Sequence, residues 1–219
     1  MRDRIAGPGV RAALTLAAAL AAGGGAAASA DAQIVWDTPR MIGPESPSGL
    51  GLYWMRAGAR PGDEDVFFGT WTVPGFGGAV AVRGGAGEGV AGETAAFGGV
   101  DFHAPLARHR PGQPLDLEWN AGAGFGVGEY LLISVPMGVS AGRSWSSGSV
   151  WFAPYVFGGA ALEFRTGDEA PDEEFKVEAT GGLGVDLSFD PSRRFVLRAS
   201  AALGERQAVA VGFVIGGGS

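Results

Sequence analysis

The sequence predicts an all-β fold: an antiparallel, up-and-down transmembrane β-barrel of about ten strands, with eight as the alternative. Three observations lead there. From about residue 48 onward, apolar residues alternate with others at a period of two, the period of a strand with two unlike faces. The face opposite the apolar one is dominated by glycine rather than by the Lys, Glu and Thr of a water-facing sheet. A leader of export type precedes the pattern.

Residues 1–32 read as a secretory signal peptide. Arg2, Arg4 and Arg11 make a basic start, Ala12 to Ala22 (AALTLAAALAA) is an apolar run of 11 residues, and Ala28-Ser29-Ala30 and Ala30-Asp31-Ala32 are both of A-x-A type. The run is short for a membrane helix, which needs roughly 20 apolar residues, so an uncleaved anchor is the weaker reading. Cleavage is expected between Ala32 and Gln33, with cleavage after Ala30 as the alternative. The leader holds three Arg and two Asp, a net +1, so the formal −7 of the whole chain becomes −7 − 1 = −8 for the exported part.

Residues 33–47 carry Pro39, Pro44 and Pro47 without periodicity, and are expected to form an extended N-terminal lead-in to a barrel domain over 48–219. Four strands are expected first: Leu50 to Arg56, Val66 to Val73, Ala79 to Gly85 and Ala95 to His103. The clearest strand is Leu115 to Gly128, where Leu115, Leu117, Trp119, Ala121, Ala123, Phe125 and Val127 share one face without exception over 14 positions. Gly128-Glu129 is a tight link into a strand whose apolar face is Leu131, Ile133, Val135, Met137, Val139 and Ala141. Val150 to Phe164, Phe175 to Phe189, Phe195 to Leu203 and Val209 to Ile215 continue the rhythm. Turn residues separate them: Ser146-Ser147-Gly148, Thr166-Gly167-Asp168 and Asp190-Pro191-Ser192. Merging two short runs, or reading Val66 to Val73 as a loop, would give eight strands.

Alternation alone fits a soluble sandwich as well. The glycine-rich face decides against it, because glycine weakens a strand and is worth its entropy where space is short, as inside a narrow barrel. Strands of 14 or more residues exceed the five or six usual in globular sheets. Phe152 and Phe164 lie twelve apart on the apolar face. At about 3.3 Å per residue and a tilt near 45°, that is roughly 28 Å along a membrane normal, close to the apolar band of a membrane barrel with its aromatic edges. Phe175 and Phe189, fourteen apart, reach slightly beyond it.

Composition removes several function classes. The 40 Gly and 13 Pro would fit disorder, but 46% hydrophobic and 10% aromatic residues do not. Net charge −7, with Lys176 the single lysine and only the loop-like pairs Arg108/Arg110 and Arg193/Arg194, leaves no footprint for nucleic acid. Absence of Cys excludes a disulfide scaffold, a Cys-ligated zinc and a lipid-anchored N-terminus. The longest apolar stretch after the leader, Leu131 to Ala141, contains Pro136 and Gly138, so any membrane crossing must use a closed barrel.

In these respects the chain resembles the small outer-membrane β-barrel proteins of Gram-negative-type bacteria over roughly residues 48 to 216. A signal peptide, no Cys, alternating strands and a last strand Val209-Ala210-Val211-Gly212-Phe213-Val214-Ile215 carry the likeness. It differs in ending on Gly216-Gly217-Gly218-Ser219 rather than on a terminal aromatic. The resemblance implies an outer-membrane location, with membrane lipid and the barrel-assembly machinery as partners. Periplasmic or secreted release is the alternative.

No residue set stands out as catalytic, and no enzyme activity, cofactor or metal is expected. A lipid-modifying enzyme would need a His with a Ser and an acid. The two histidines, His103 at an expected strand end and His109 in an Arg-flanked loop, show no such spacing. Asp63-Glu64-Asp65 and the acidic run 168–174 lack the spacing of a calcium loop. Gly122-Ala123-Gly124-Phe125-Gly126 lies inside a strand, not before the helix a nucleotide loop needs. Glu118, Glu163, Arg165, Glu178, Asp186 and Arg198 fall on the glycine face and are expected to form a structural polar cluster facing one another across the lumen. The expected role is structural or surface-interacting. A porin-like small-solute channel and a secreted ligand-binding barrel are the alternatives, and the ligand is left open.

Overall fold

The structure, a computed structural model, describes residues 35–58, 65–75, 77–88, 94–167, 170, 174–204 and 206–216. The signal peptide, its cleavage point between Ala32 and Gln33, and most of the acidic runs at 63–65 and 168–174 lie outside these residues.

The described chain is all-β. Its strands are β1 (Gly49–Ala57), β2 (Asp65–Gly75), β3 (Gly78–Glu88), β4 (Thr94–Ala107), β5 (Asp116–Val127), β6 (Leu131–Gly142), β7 (Trp145–Ser147), β8 (Val150–Thr166), β9 (Phe175–Ser188), β10 (Phe195–Leu203) and β11 (Ala208–Ile215). β7 is a three-residue flap paired to the start of β8. The other ten pair antiparallel with their chain neighbours, β11 closes on β1, and β6 closes on β8. The ring therefore has ten strands, not the alternative eight, and closure leaves no long sheet edge unpaired.

Every strand meets the ring in the orientation its alternation requires. Asp116, Glu118 and Asn120 of β5 are buried inside, while Trp119, Phe125 and Val127 stand outside. The same division holds on β8, where Glu163 is 1% exposed and its neighbours Leu162 and Phe164 are 39% and 42% exposed. The outer face is thus apolar and the interior mixed: Phe67 and Trp71 are 67% and 60% exposed, whereas Asp186 is 1% exposed and lies inside with Met55, Val66 and Val196.

The outer aromatics gather at the two ends of the ring. At the end where β1 starts and β11 finishes, called proximal here, Phe102 packs on Trp119 (centroids 5.2 Å apart), Trp145 on Phe152 (6.2 Å) and Phe195 on Phe213 (5.5 Å). At the distal end, Phe164 and Phe175 sit opposite each other across β8 and β9, and Trp54 opposite Phe67 across β1 and β2. Between the two bands the outer face is aliphatic, with Val82 beside Val100 and Val100 beside Ala123.

Turns use residues suited to tight backbone. Gly77 (φ 77°) closes β2 to β3, and Gly204 (φ 101°) follows β10. In the β9–β10 turn, Asp190 accepts hydrogen bonds from the Ser192 hydroxyl (2.6 Å) and the Ser192 amide (3.0 Å), which hold its carboxyl below the ordinary range.

Ring closure rests on β11, whose Ala210 is fully buried between Met55 of β1 and Ser200 of β10. Ala210→Pro removes an amide from this seam. We expect the variant to lose the compact, faster-running form on an unboiled denaturing gel; retention of that form would show that the seam is not needed for closure.

Candidate functional site: a plugged lumen

A ring of eight strands is just wide enough to be filled by its own inward side chains. Ten strands enclose more, and here much of the inner wall is small: Gly51, Ala81, Gly99, Gly122, Gly124 and Ser134 all point in. The space is taken by residues 35–44, which are buried throughout. This stretch of the N-terminal lead-in therefore lies within the ring.

The segment runs the length of the lumen. Val35 packs against Tyr130 and Leu132 at the distal end. Trp36 lies flat on the wall of β4 and β5. A Cβ at Gly124 would come within 2.6 Å of its ring and one at Gly122 within 2.8 Å, and one at Gly99 would collide with it outright. Its indole Nε1 donates to the Ser134 carbonyl (3.2 Å).

Arg83 of β3 then clamps the chain, donating to the carbonyls of Thr38 and Pro39 (both 2.8 Å). Its guanidinium stacks over Phe68 (4.0 Å) and Phe97 (5.5 Å), which belong to a Tyr53–Phe68–Phe97 aromatic stack on the inner wall. Arg40 pairs with Asp101 (3.0 Å), while its carbonyl accepts from the Tyr155 hydroxyl (3.2 Å) and the Ser200 hydroxyl (2.5 Å). Toward the proximal end, Arg108 donates to the Pro44 carbonyl (3.1 Å) and the Ser46 hydroxyl to Asp186 (2.7 Å). The chain then reverses into β1 at Gly49 (φ 143°), a left-handed position suited to glycine.

The charged wall residues expected from the sequence do all line the lumen, but they do not face one another across it. They pair with near neighbours along the wall. Arg198 of β10 grips Asp186 of β9 with two bonds (2.6 and 2.9 Å) and reaches the Tyr53 hydroxyl (3.3 Å). Arg165 pairs with Glu163 two residues away (2.8 Å), and Lys176 with Glu178 (2.8 Å). Arg206, from the β10–β11 turn, also meets Glu163 and lies 3.8 Å from Asp37 of the plug. The plug occupies the path that cross-lumen pairs would need.

Glu118 has a partner the sequence reading missed. His103 Nδ1 is 3.1 Å from Glu118 Oε1, close enough to pair but not aligned as a hydrogen bond. His103 is not at a strand end; β4 continues to Ala107, and the side chain is buried. Asn120 and Ser140 stand next to this pair on β5 and β6, each with a buried side-chain oxygen lacking a protein partner among the described residues. The other histidine, His109, is exposed in the β4–β5 loop with Nδ1 3.0 Å from the Gln113 carbonyl oxygen.

Asp37, Arg40, Arg83, Asp101 and Arg206 were also missed. Asp101 and Arg83 lie on strands where inward parity marked them; the plug and turn residues carried no such signal. Among the described residues, two cavities flank the plug, each about 10 Å³, room for about one water molecule. One touches Asp37, Arg40, Thr180 and Arg206, the other Gly43, Ser46, Arg143 and Asp186. Among the described residues, no three His, Asp or Glu side chains converge as a metal site. Compared with known protein families and with curated proteins, the chain matches none.

Two sets of variants test this arrangement. Trp36→Ala should lower unfolding stability by about 3–5 kcal/mol, the usual cost of emptying a large aromatic site, and Gly124→Val should destabilise by forcing the same ring off the wall. Denaturant unfolding in detergent would check both, and unchanged midpoints would show that Trp36 is not seated there. Arg198→Met alone should cost about 3–5 kcal/mol because Asp186 is left charged and buried. Arg198→Met with Asp186→Leu should recover most of that loss; equal losses in the single and double variants would refute the pairing.

Proposed function

We propose that this protein is an outer-membrane β-barrel with a structural or surface-interaction role, its lumen sealed by its own N-terminal segment. The apolar outer face carries the reading. An outer face of Leu50, Leu52, Val82, Val100, Val135 and Val211, all well exposed, has no favourable place in water and a natural one in lipid. The aromatic bands at both ends match the edges of a membrane's apolar layer. The leader read over 1–32 supplies the route of export. Lipid and the barrel-assembly machinery are the partners this implies.

The plug favours this role over an open porin-like channel, because residues 35–44 fill the lumen and the cavities that described residues form beside them at Arg206 and at Arg143 are water-sized. It also weighs against an enzyme. His103 and Glu118 are both buried inside the ring.

Fractionation of expressing cells, followed by gel mobility with and without boiling, tests the assignment. The expected result is an outer-membrane protein whose mobility shifts on boiling. A soluble protein with no shift would overturn the reading. Val100→Arg separates the same alternatives energetically. At the midplane of a bilayer it should cost about 2–4 kcal/mol, measured by unfolding from lipid vesicles, whereas on a water-facing surface it would cost almost nothing.

A further inference from the structure

We propose that the lumen is a latent pore for small ions, with a preference for cations, and that residues 35–47 keep it closed. The inference rests on the membrane reading above and adds an activity to it.

The plug is not part of the sheet. Among the described residues, 35–48 form no strand. Among the described residues, the segment's ties to the wall run through side chains: Trp36, Arg40 and Ser46 on the plug, and Arg83, Arg108, Tyr155 and Ser200 on the barrel. The ten-strand ladder is complete without it. The bay that Trp36 fills is floored by Gly99, Gly122 and Gly124 beside Ser134, residues too short to refill it. Removal of the segment therefore opens a passage along the β4–β6 side of the lumen, with the aromatic wall of Tyr53, Phe68 and Phe97 on its other side.

Charge sets the preference. Apart from the plug's own Asp37 and Arg40, the buried ionisable wall residues are Asp101, Asp116, Glu118, Glu163, Glu178 and Asp186 against Arg83, Arg198 and His103. Arg40, which now neutralises Asp101, would leave with the plug. Arg165, Lys176 and Arg206 compensate Glu163 and Glu178 near the distal end and Arg108 and Arg143 stand at the proximal mouth, so the acidic excess falls deeper, around Asp101, Asp116 and Glu118. A wall of carboxylates lowers the barrier for cations over anions.

The test begins with the whole exported protein carrying a site-specific protease sequence inserted between Pro47 and Ser48, where the plug leaves the lumen. Folding is complete before the cut, so a folding defect does not confound the result. Reconstituted in a planar bilayer, the uncut protein should be silent. After cleavage and a urea wash, with loss of the segment verified by mass, discrete conductance steps should appear. Their reversal potential in a KCl gradient should lie toward the cation side, and a synthetic peptide of residues 33–47 should abolish them. An emptied barrel that stays silent overturns the proposal. So does a cut segment that no wash removes, or a pore that prefers anions. If the uncut protein does not enter the bilayer and shows no mobility shift, the membrane reading itself falls, and this result is separate from the other three.

Discussion

The interior of a ten-stranded ring has to be filled, and this chain fills it with its own N-terminal segment packed against inward side chains such as Tyr53, Met55, Phe68 and Phe97. Trp36 against Gly99, Gly122 and Gly124 is where that constraint is most visible. The glycines cost strand stability taken singly, yet together they make a flat bay in which one large aromatic replaces several smaller inward residues. Once Trp36 is seated, the following backbone passes Arg83 and Arg40 reaches Asp101, and the chain leaves at the end where β1 must start. Wall composition and plug position are thus two sides of one packing solution.

Burying this much charge is acceptable because almost every group is matched locally. The bidentate Arg198–Asp186 pair spans adjacent strands, so the sheet register itself sets its geometry. Arg83 is held between aromatic faces and two plug carbonyls, a site where a guanidinium satisfies backbone acceptors that would otherwise be orphaned inside the ring. Matching is less complete around His103, Glu118, Asn120 and Ser140.

Much of the barrel was legible residue by residue. Period-two alternation assigned Leu117, Trp119 and Phe125 to the outside and Glu118 and Asn120 to the inside, and the sheet observes that division on every strand. The strand starts of the N-terminal half were close, although β3 and β4 run on past Gly85 and His103, because backbone pairing continues through Ala86-Gly87-Glu88 and Ala104-Pro105 regardless of side-chain pattern. Charged residues on the inner face were identified as lumen groups from parity alone. Their partners were not, since pairing depends on cross-strand register and on the path of a segment far away in sequence.

What the sequence determined by itself is local in origin: the β class, the inward and outward faces, and the export leader as an expectation. These depend on side-chain order along a few residues, where a period of two has one structural meaning. The tertiary structure alone decided that ten strands close, that residues 35–44 lie inside the ring, and that Glu118 meets His103 while Asp101 meets Arg40. The plug has no periodicity to announce it. Its burial follows from the width of a lumen that exists only after closure, and from glycines 63, 86 and 88 positions away from the tryptophan that covers them.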